Sequence, residues 1–419
     1  MKAHERVEAP KGVTNPDLFI LELSKSAMKI VQVCFDQVPD HIGGMYTAVD
    51  SFQRALSTED DGPTPVIGFI ARNKRDEGKM SVECDGMVRV LSAKGPLGRY
   101  YSWSSNRQTA AAEEILRKAQ IVIIHVLYRY HAQWAARCAM RYRIPTLVVP
   151  HGSLARQGFV QAGWRKRLWL NLFGPSILGQ SKAIIFASHR EREEAFRYHF
   201  GASGVVIPWS TPLVCTHDKL QASRKVRSHY GIPQSDRVLL YVGRLHPIKR
   251  IWQTLSSFAR RAPGNWHMLV VGPDSPILGR QKLETPLTGS AKVRIHFIGP
   301  VFGDAKYDYY KASDAYVLLS RFESFSYTTA EALSCGLPVI VSSEVGLSDE
   351  LSRIGCGWIV NAGDNTAIDN ALDEVFQSTP TVLQEMGGRG QLWVRQNLDF
   401  DTFRKRLLNL VSTCIENST

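Results

Sequence analysis

The sequence has no C-x-x-C pair, no apolar run approaching the roughly 18 residues of a membrane span, no short internal repeat and no low-complexity tract. Its seven cysteines (Cys34, Cys84, Cys138, Cys215, Cys335, Cys356 and Cys414) are scattered, odd in number and free of metal-ligand spacing. They read as free thiols of a reducing compartment, which excludes a disulfide-stapled fold and a structural zinc site. Charges at Lys2, His4, Glu5, Arg6 and Glu8 leave no room for a signal-peptide core, so the protein is expected in the cytoplasm. Under that expectation the terminal Asn417-Ser418-Thr419 sequon is a chance match. Zinc-finger spacing, basic-region heptads and RNP-type aromatic motifs are all missing, which argues against a nucleic-acid partner. The formal charge of +12 asks for an anionic partner, and charge alone does not choose between a nucleotide sugar, a lipid headgroup surface and nucleic acid.

What is present points to an α/β protein of two lobes. A chain of 419 residues exceeds the size at which one core stops growing, and 44% hydrophobic residues suffice to fill two. Apolar runs at 28–34 (MKIVQVC), 65–71 (PVIGFIA), 121–128 (IVIIHVLY), 145–150 (PTLVVP) and 182–187 (KAIIFA) are continuous rather than alternating. That pattern suits parallel strands buried on both faces, and helix-like segments at 108–119 and 131–143 separate them. The pattern breaks near 208–215, and a polar stretch through about Asp236 reads as the connection between lobes. It restarts at 237–242, 267–272, 293–298, 315–319 and 338–342. Two doubly wound, Rossmann-like parallel sheets follow. The expected division is a leader at 1–27, a first lobe at 28–210, a second at 211–395 and a terminal helical segment at 396–419 that packs back on the first lobe.

In open α/β sheets ligands bind beyond the carboxyl ends of the strands, so the loops there carry the chemistry. Gly243 to Arg250 (GRLHPIKR) follows the strand VLLYV and enters a helix near Ile251. Arg244 and Lys249 place two cations at a helix start, a position that already favours a diphosphate. Glu323 to Glu331 (ESFSYTTAE) follows the strand AYVLL, with Glu323 on the loop and Glu331 inside the next helix. Exposed backbone N–H groups there suit phosphate, and the two carboxylates suit sugar and ribose hydroxyls. In the first lobe, Pro150-His151-Gly152-Ser153 ends one strand and Gly43-Gly44 follows another, and His151 reads as a proton donor or hydrogen-bond partner.

These pieces in this order resemble the retaining GT-B glycosyltransferases, specifically glycosyltransferase family four, over nearly the whole chain from Met28. The matching features are Gly43-Gly44, the PHG of 150–152, Ser188 to Glu191 (S-x-x-E), VGRLHPIK at 242–249 and ESF…AEALSCGLPVI at 323–340. The resemblance implies a GT-B fold and a metal-independent transferase with no cofactor, taking a nucleotide-sugar donor and a saccharide or lipid-linked saccharide acceptor. It further implies that Arg244 and Lys249 hold the donor diphosphate, that Glu331 binds the ribose and that Glu323 binds the transferred sugar. Backbone at Ser324, Phe325, Ser326 and Tyr327 would contact sugar and phosphate, and the Gly299-Pro300-Val301 loop would border the base. His151 would sit beside the anomeric carbon, and Gly43 and Gly44 would let their loop approach the phosphates. By the same resemblance the reaction retains configuration through front-face attack.

The chain departs from the family pattern at three places. Ser326 stands where glycine usually follows ESF, Arg250 stands in place of a glycine after Lys249, and Pro208-Trp209-Ser210 replaces the common P-N-G. The one D-x-D match, Asp399-Phe400-Asp401, falls far from both phosphate loops and reads as chance. Residues 154–178 interleave Arg156, Arg165, Lys166 and Arg167 with Phe159, Trp164, Leu168, Trp169, Leu172 and Phe173. That stretch fits either an anionic membrane interface or a helix packed into the first lobe. A GT-B-like nucleotide-sugar epimerase and a non-catalytic nucleotide-binding protein remain as alternatives to transfer in polysaccharide or glycolipid synthesis.

Overall fold

The computed structural model describes residues 30–36, 44–57, 63–70, 87–93, 96–160, 163–198, 200–213, 218–287 and 289–417. The expected leader and the Gly43 assignment lie outside these residues. Two parallel sheets organise the chain. The first holds β1 (Ile30–Asp36), β2 (Val66–Ile70), β3 (Met87–Leu91), β4 (Ile121–His125), β5 (Thr146–Val149), β6 (Ala183–Phe186) and β7 (Ser203–Val206), in the order β3-β2-β1-β4-β5-β6-β7. The second holds β8 (Arg237–Val242), β9 (Trp266–Val271), β10 (Ile295–Gly299), β11 (Ala315–Leu318), β12 (Val339–Ser342) and β13 (Gly357–Val360), in the order β10-β9-β8-β11-β12-β13. The strand order reverses between β1 and β4 and again between β8 and β11, and these switch points are where such sheets open a crevice for ligand.

The continuous apolar runs are explained by burial on both faces. On β4, Ile121 and Ile123 enter one core while Val122 and Ile124 enter another, as the two-residue repeat of a strand requires. Three edge strands, β3, β7 and β13, were not expected from the sequence. Each is short and sits at or near a sheet margin, and the half-exposed residues of β7 and β13 give no continuous apolar signal. The run at 293–298 is shorter than expected, because Val293 and Arg294 close the helix Gly289–Arg294 before β10 begins. The polar connection is not uniformly irregular, since it contains the helix Lys219–His229, whose Lys225 pairs with Asp308 of the second lobe at 2.8 Å.

The last helix, Phe400–Glu416, crosses back to the first lobe. Phe403, Leu407, Val411 and Cys414 form its buried stripe at helical spacing. Phe403 meets Phe52 of the helix Gly44–Leu56 edge-on at 5.3 Å, and Arg404 Nε donates to the Ala55 carbonyl at 3.2 Å. Asp399 caps this helix by accepting from the Thr402 N–H at 3.0 Å, which gives the D-x-D match a structural role.

Candidate active site

The site is assembled from loops at both switch points. In the second lobe, β8 passes through Gly243 to exposed Arg244, whose carbonyl accepts from the Tyr241 hydroxyl at 3.1 Å. A single 3-10 turn, Pro247–Lys249, follows, capped by His246 Nδ1 accepting from the Ile248 N–H at 3.2 Å. That turn aims Lys249 at Glu323, and the Lys249 ammonium and Glu323 Oε1 form an ion pair. The same oxygen accepts from Ser320 Oγ at 2.7 Å. The Glu323 backbone is pinned in turn, its N–H donating to the Glu344 carbonyl at 3.2 Å and its carbonyl accepting from Gly346 at 2.8 Å. The largely buried pair therefore projects from two braced backbones rather than from free loops.

The two departures from family glycines occupy the conformation that favours glycine. Arg250 has φ 51° and Ser326 has φ 77°, both in the left-handed region. Ser326 Oγ is held 2.7 Å from Thr329 Oγ1.

The helix Tyr327–Ser334 starts directly after the Glu323 loop and buries Glu331. Glu331 Oε1 meets Lys306 Nζ at 2.5 Å and Oε2 accepts from the Tyr310 hydroxyl at 3.0 Å. Neither Lys306 nor Tyr310 was singled out in the sequence, because their helix, Ala305–Lys311, carries no recognisable motif. Burial, with the nearby Glu331 carboxylate, holds the Tyr310 phenol well above its ordinary value. Val301 lies two residues after Gly299, whose carbonyl accepts from Gly272 at 2.8 Å, so the expected base-side loop starts beside the end of β9, where Gly272 packs on Gly243 of the β8 loop.

In the first lobe, His151 (φ 50°) and Gly152 (φ 77°) form two consecutive left-handed residues after β5. Glu191, buried on the helix His189–Ala195, holds this turn: Oε1 accepts from the Gly152 N–H and Oε2 from the Ala187 N–H, the latter at 2.8 Å. Removal from water pushes the Glu191 carboxyl up to about 7, against the pull of those two donors. His151 Nε2 lies 2.9 Å from His125 Nδ1, and desolvation lowers His151 to about 3. Burial thus favours the neutral imidazole, which has one N–H to donate and one lone pair to accept with.

The lobes meet at three places around this turn. A Cβ on Gly152 would stand 2.7 Å from Phe322 Cε1, one on Gly44 would stand 3.2 Å from Tyr327 Cδ2, and Ser188 Oγ donates to the Ser324 carbonyl at 2.9 Å. His151, Gly152 and Gly44 thus face the loop that carries Glu323 to Tyr327. Phe325, 2% exposed, anchors that loop in the second core.

The sequence profile described as glycosyl transferases group 1 matches residues 223–391, and that described as glycosyl transferase 4-like domain matches residues 43–209. A D-inositol 3-phosphate glycosyltransferase of Mycolicibacterium smegmatis is 24% identical over 270 residues, covering 62% of this chain and 61% of the relative. The matched stretch thus spans about six tenths of that relative's length. Among solved structures, sucrose-phosphate synthase from Thermosynechococcus elongatus is similar with a TM-score of 0.71 at 18% identity, covering 93% of this chain and all of that one (100%). The Anabaena HepE protein in complex with UDP and glucose is similar with a TM-score of 0.67 at 18% identity, covering 92% of this chain and 100% of that one. At these identities the structural likenesses establish the two-lobed GT-B fold.

Proposed function

The chain belongs to the group 1 glycosyltransferases, and from that premise we propose that it is a retaining, metal-independent transferase moving a sugar from a nucleotide-diphosphate donor to a saccharide or lipid-linked saccharide acceptor. The observation that carries this reading is the convergence of Lys249 and Glu323 on the face opposite the Glu191-held His151-Gly152 turn. In it, Arg244, Lys249 and the backbone N–H groups at the start of the Tyr327–Ser334 helix take the diphosphate and stabilise it as it departs. Glu323 receives the transferred sugar, Glu331 the ribose hydroxyls, and the Val301 loop the base. The acceptor hydroxyl attacks the anomeric carbon from the face the diphosphate leaves, and its proton passes to the departing phosphate oxygen.

The lipid-linked acceptor is supported by the helix Gly163–Ile177, which has two apolar faces. Trp169, Leu170 and Ile177 are buried in the first lobe. Trp164, Leu168 and Leu172, spaced four apart, are each more than half exposed, at 67%, 52% and 63%. Exposed Arg165 and Arg167 flank them. An outward apolar stripe edged with cations suits an anionic membrane surface, here that of the cytoplasmic leaflet in glycolipid or polysaccharide synthesis.

UDP-, GDP- and ADP-sugars are the donors to test, by thermal unfolding followed by transfer assays. A ligand at about 100 times its Kd stabilises by about 2.7 kcal/mol. A shift with one nucleotide family, lost when Arg244→Ala and Lys249→Ala are combined, supports the reading, and a folded protein that responds to none refutes it. Co-sedimentation with phosphatidylglycerol vesicles at low salt, weakened in Trp164→Glu, tests the membrane arm.

A further inference from the structure

His151 is the end of a buried chain that starts on the neighbouring strands. Gln32 of β1 is fully buried, and its Oε1 lies 2.9 Å from His125 Nε2. His125, the last residue of β4, is also fully buried and reaches His151 Nε2 through Nδ1 at 2.9 Å. The backbone carbonyl of His125 contacts His131 Nε2 at 2.8 Å, which fixes the strand end. The rings are boxed in on their other sides: Phe52 stands edge-on to His125 at 5.1 Å and Trp209 packs on His151 at 5.7 Å. Phe52 and Trp209 both rest on Phe403 of the returning helix, at 5.3 and 6.3 Å. Trp209 is one of the two residues, with Ser210, by which this chain departs from the P-N-G pattern.

The chemistry of each contact limits the next. Gln32 Oε1 is the amide atom that faces His125 and it only accepts, so His125 Nε2 carries its proton and donates to Gln32; the amide turned about would reverse each polarity along the chain. A neutral imidazole has one N–H, so His125 Nδ1 is a bare acceptor, and the 2.9 Å contact requires the proton on His151 Nε2. His151 Nδ1 is then left as a lone pair. Gln32 Nε2 is buried without a hydrogen-bond partner, a cost of the kind retained where a residue serves a purpose other than stability.

We propose that Gln32 and His125 are positioning residues that lock His151 with its Nε2 proton turned inward, so that Nδ1 is presented to the site as a hydrogen-bond acceptor for a hydroxyl of the bound sugar. The inference deepens the transferase reading by giving His151 one polarity: it receives a hydrogen bond from substrate and takes no part in protonating the leaving group. Turning the His151 ring to offer a donor breaks its His125 contact and displaces Trp209.

The test is two-bond proton–nitrogen NMR on the full chain labelled at histidine, with His151 assigned by His151→Ala. The expected spectrum of the unsubstituted protein has a protonated Nε2 and a bare Nδ1 at His151, and a proton found on Nδ1 overturns the proposal. Gln32→Met keeps the volume and removes the acceptor. It is expected to mix the two tautomers and to lower kcat about 10- to 100-fold with donor KM unchanged. A folded Gln32→Met protein with both tautomer and kcat unaltered also refutes it. The spectral result stands whatever the reaction is, so it separates failure of this inference from failure of the transferase assignment. If Gln32→Met does not fold, the spectrum of the unsubstituted protein alone decides.

Discussion

The Ser188 hydroxyl of the first lobe donates to the Ser324 carbonyl of the second at 2.9 Å, while accepting from the Glu191 N–H at 3.1 Å. One oxygen thus ties the helix that supports the His151 turn to the loop that carries Glu323. Ser188→Ala removes a hydrogen bond worth about 1 kcal/mol and is expected to raise donor KM about fivefold. Gly346 lies against the same contact, where a Cβ would stand 2.1 Å from the Ser324 carbonyl oxygen and 2.8 Å from Ser188 Oγ. Gly346→Ala is expected to be worse than Ser188→Ala because backbone has to move. Equal kinetic effects from the two would refute this reading of the contact.

The Lys249–Glu323 pair is only partly accessible, at 21% and 16%. Lys249→Met is expected to lower kcat about 10²- to 10³-fold, since an electrostatic contact to a departing group is lost in a partly dry site. Glu323→Gln is expected to reduce turnover as well while leaving the bare nucleoside diphosphate bound. Single-turnover rates and nucleotide titration separate the two, and turnover within threefold of the unsubstituted enzyme for Lys249→Met would sink the assignment.

Glu191 accepts two backbone N–H groups through separate oxygens. Glu191→Gln supplies only one accepting oxygen, so one of those donors faces an amide N–H. A loss of about 1–3 kcal/mol in unfolding free energy is expected, together with reduced kcat through the displaced Gly152 turn. Urea unfolding measures the first and transfer assays the second.

Ser326 can be replaced by the family residue. Ser326→Gly relieves a left-handed backbone at φ 77° and forfeits the 2.7 Å contact with Thr329. Because left-handed residues cost about 1–2 kcal/mol, the two effects should nearly cancel and activity should persist. A greater than tenfold loss of activity would show that the hydroxyl itself has a chemical task.

Two pH effects oppose each other in stability. His131 and His151 are lowered from 6.5 to about 4 and about 3 by burial, so the unfolded chain takes up protons first as pH falls. Their contribution is complete above about 6.5 and is lost on acidification, by about 1.4 kcal/mol per pH unit for each proton. Glu191 is raised to about 7 by burial, so its contribution is complete below the unfolded value of 4.5 and is lost as pH rises through about 7. Denaturant midpoints should therefore fall between pH 6.5 and 5, and Glu191→Gln should steepen that fall. A midpoint that rises on acidification in both proteins would contradict the histidine assignment.

Much of this architecture was legible before any coordinates. Nine central strands announce themselves as continuous Val-, Ile- and Leu-rich runs because they have no solvent face, and the edge strand β10 was found with them. The loops after β8 and β11 stood out because cations, carboxylates and glycine gather where strands end. Three strands, β3, β7 and β13, escaped notice because marginal position relaxes the demand for apolar residues. The membrane-like stretch was ambiguous for a definite reason: the helix Gly163–Ile177 is apolar on two faces, and only packing shows which one is covered.

By itself the sequence determined the two-sheet class, ten of the strands in order, and that Arg244, Lys249, Glu323 and His151 follow strand ends while Glu331 lies in the helix after Glu323. Those are local matters of periodicity and of residue type within a few positions. Tertiary structure alone decided the partners: Lys306 on Glu331, Glu191 beneath Gly152, and Gln32 reaching His151 through His125 across 93 and then 26 residues of chain. Such pairings depend on which strands lie side at the switch point and on how closely two lobes approach, and no local pattern encodes a distance between segments that meet only when both cores have formed.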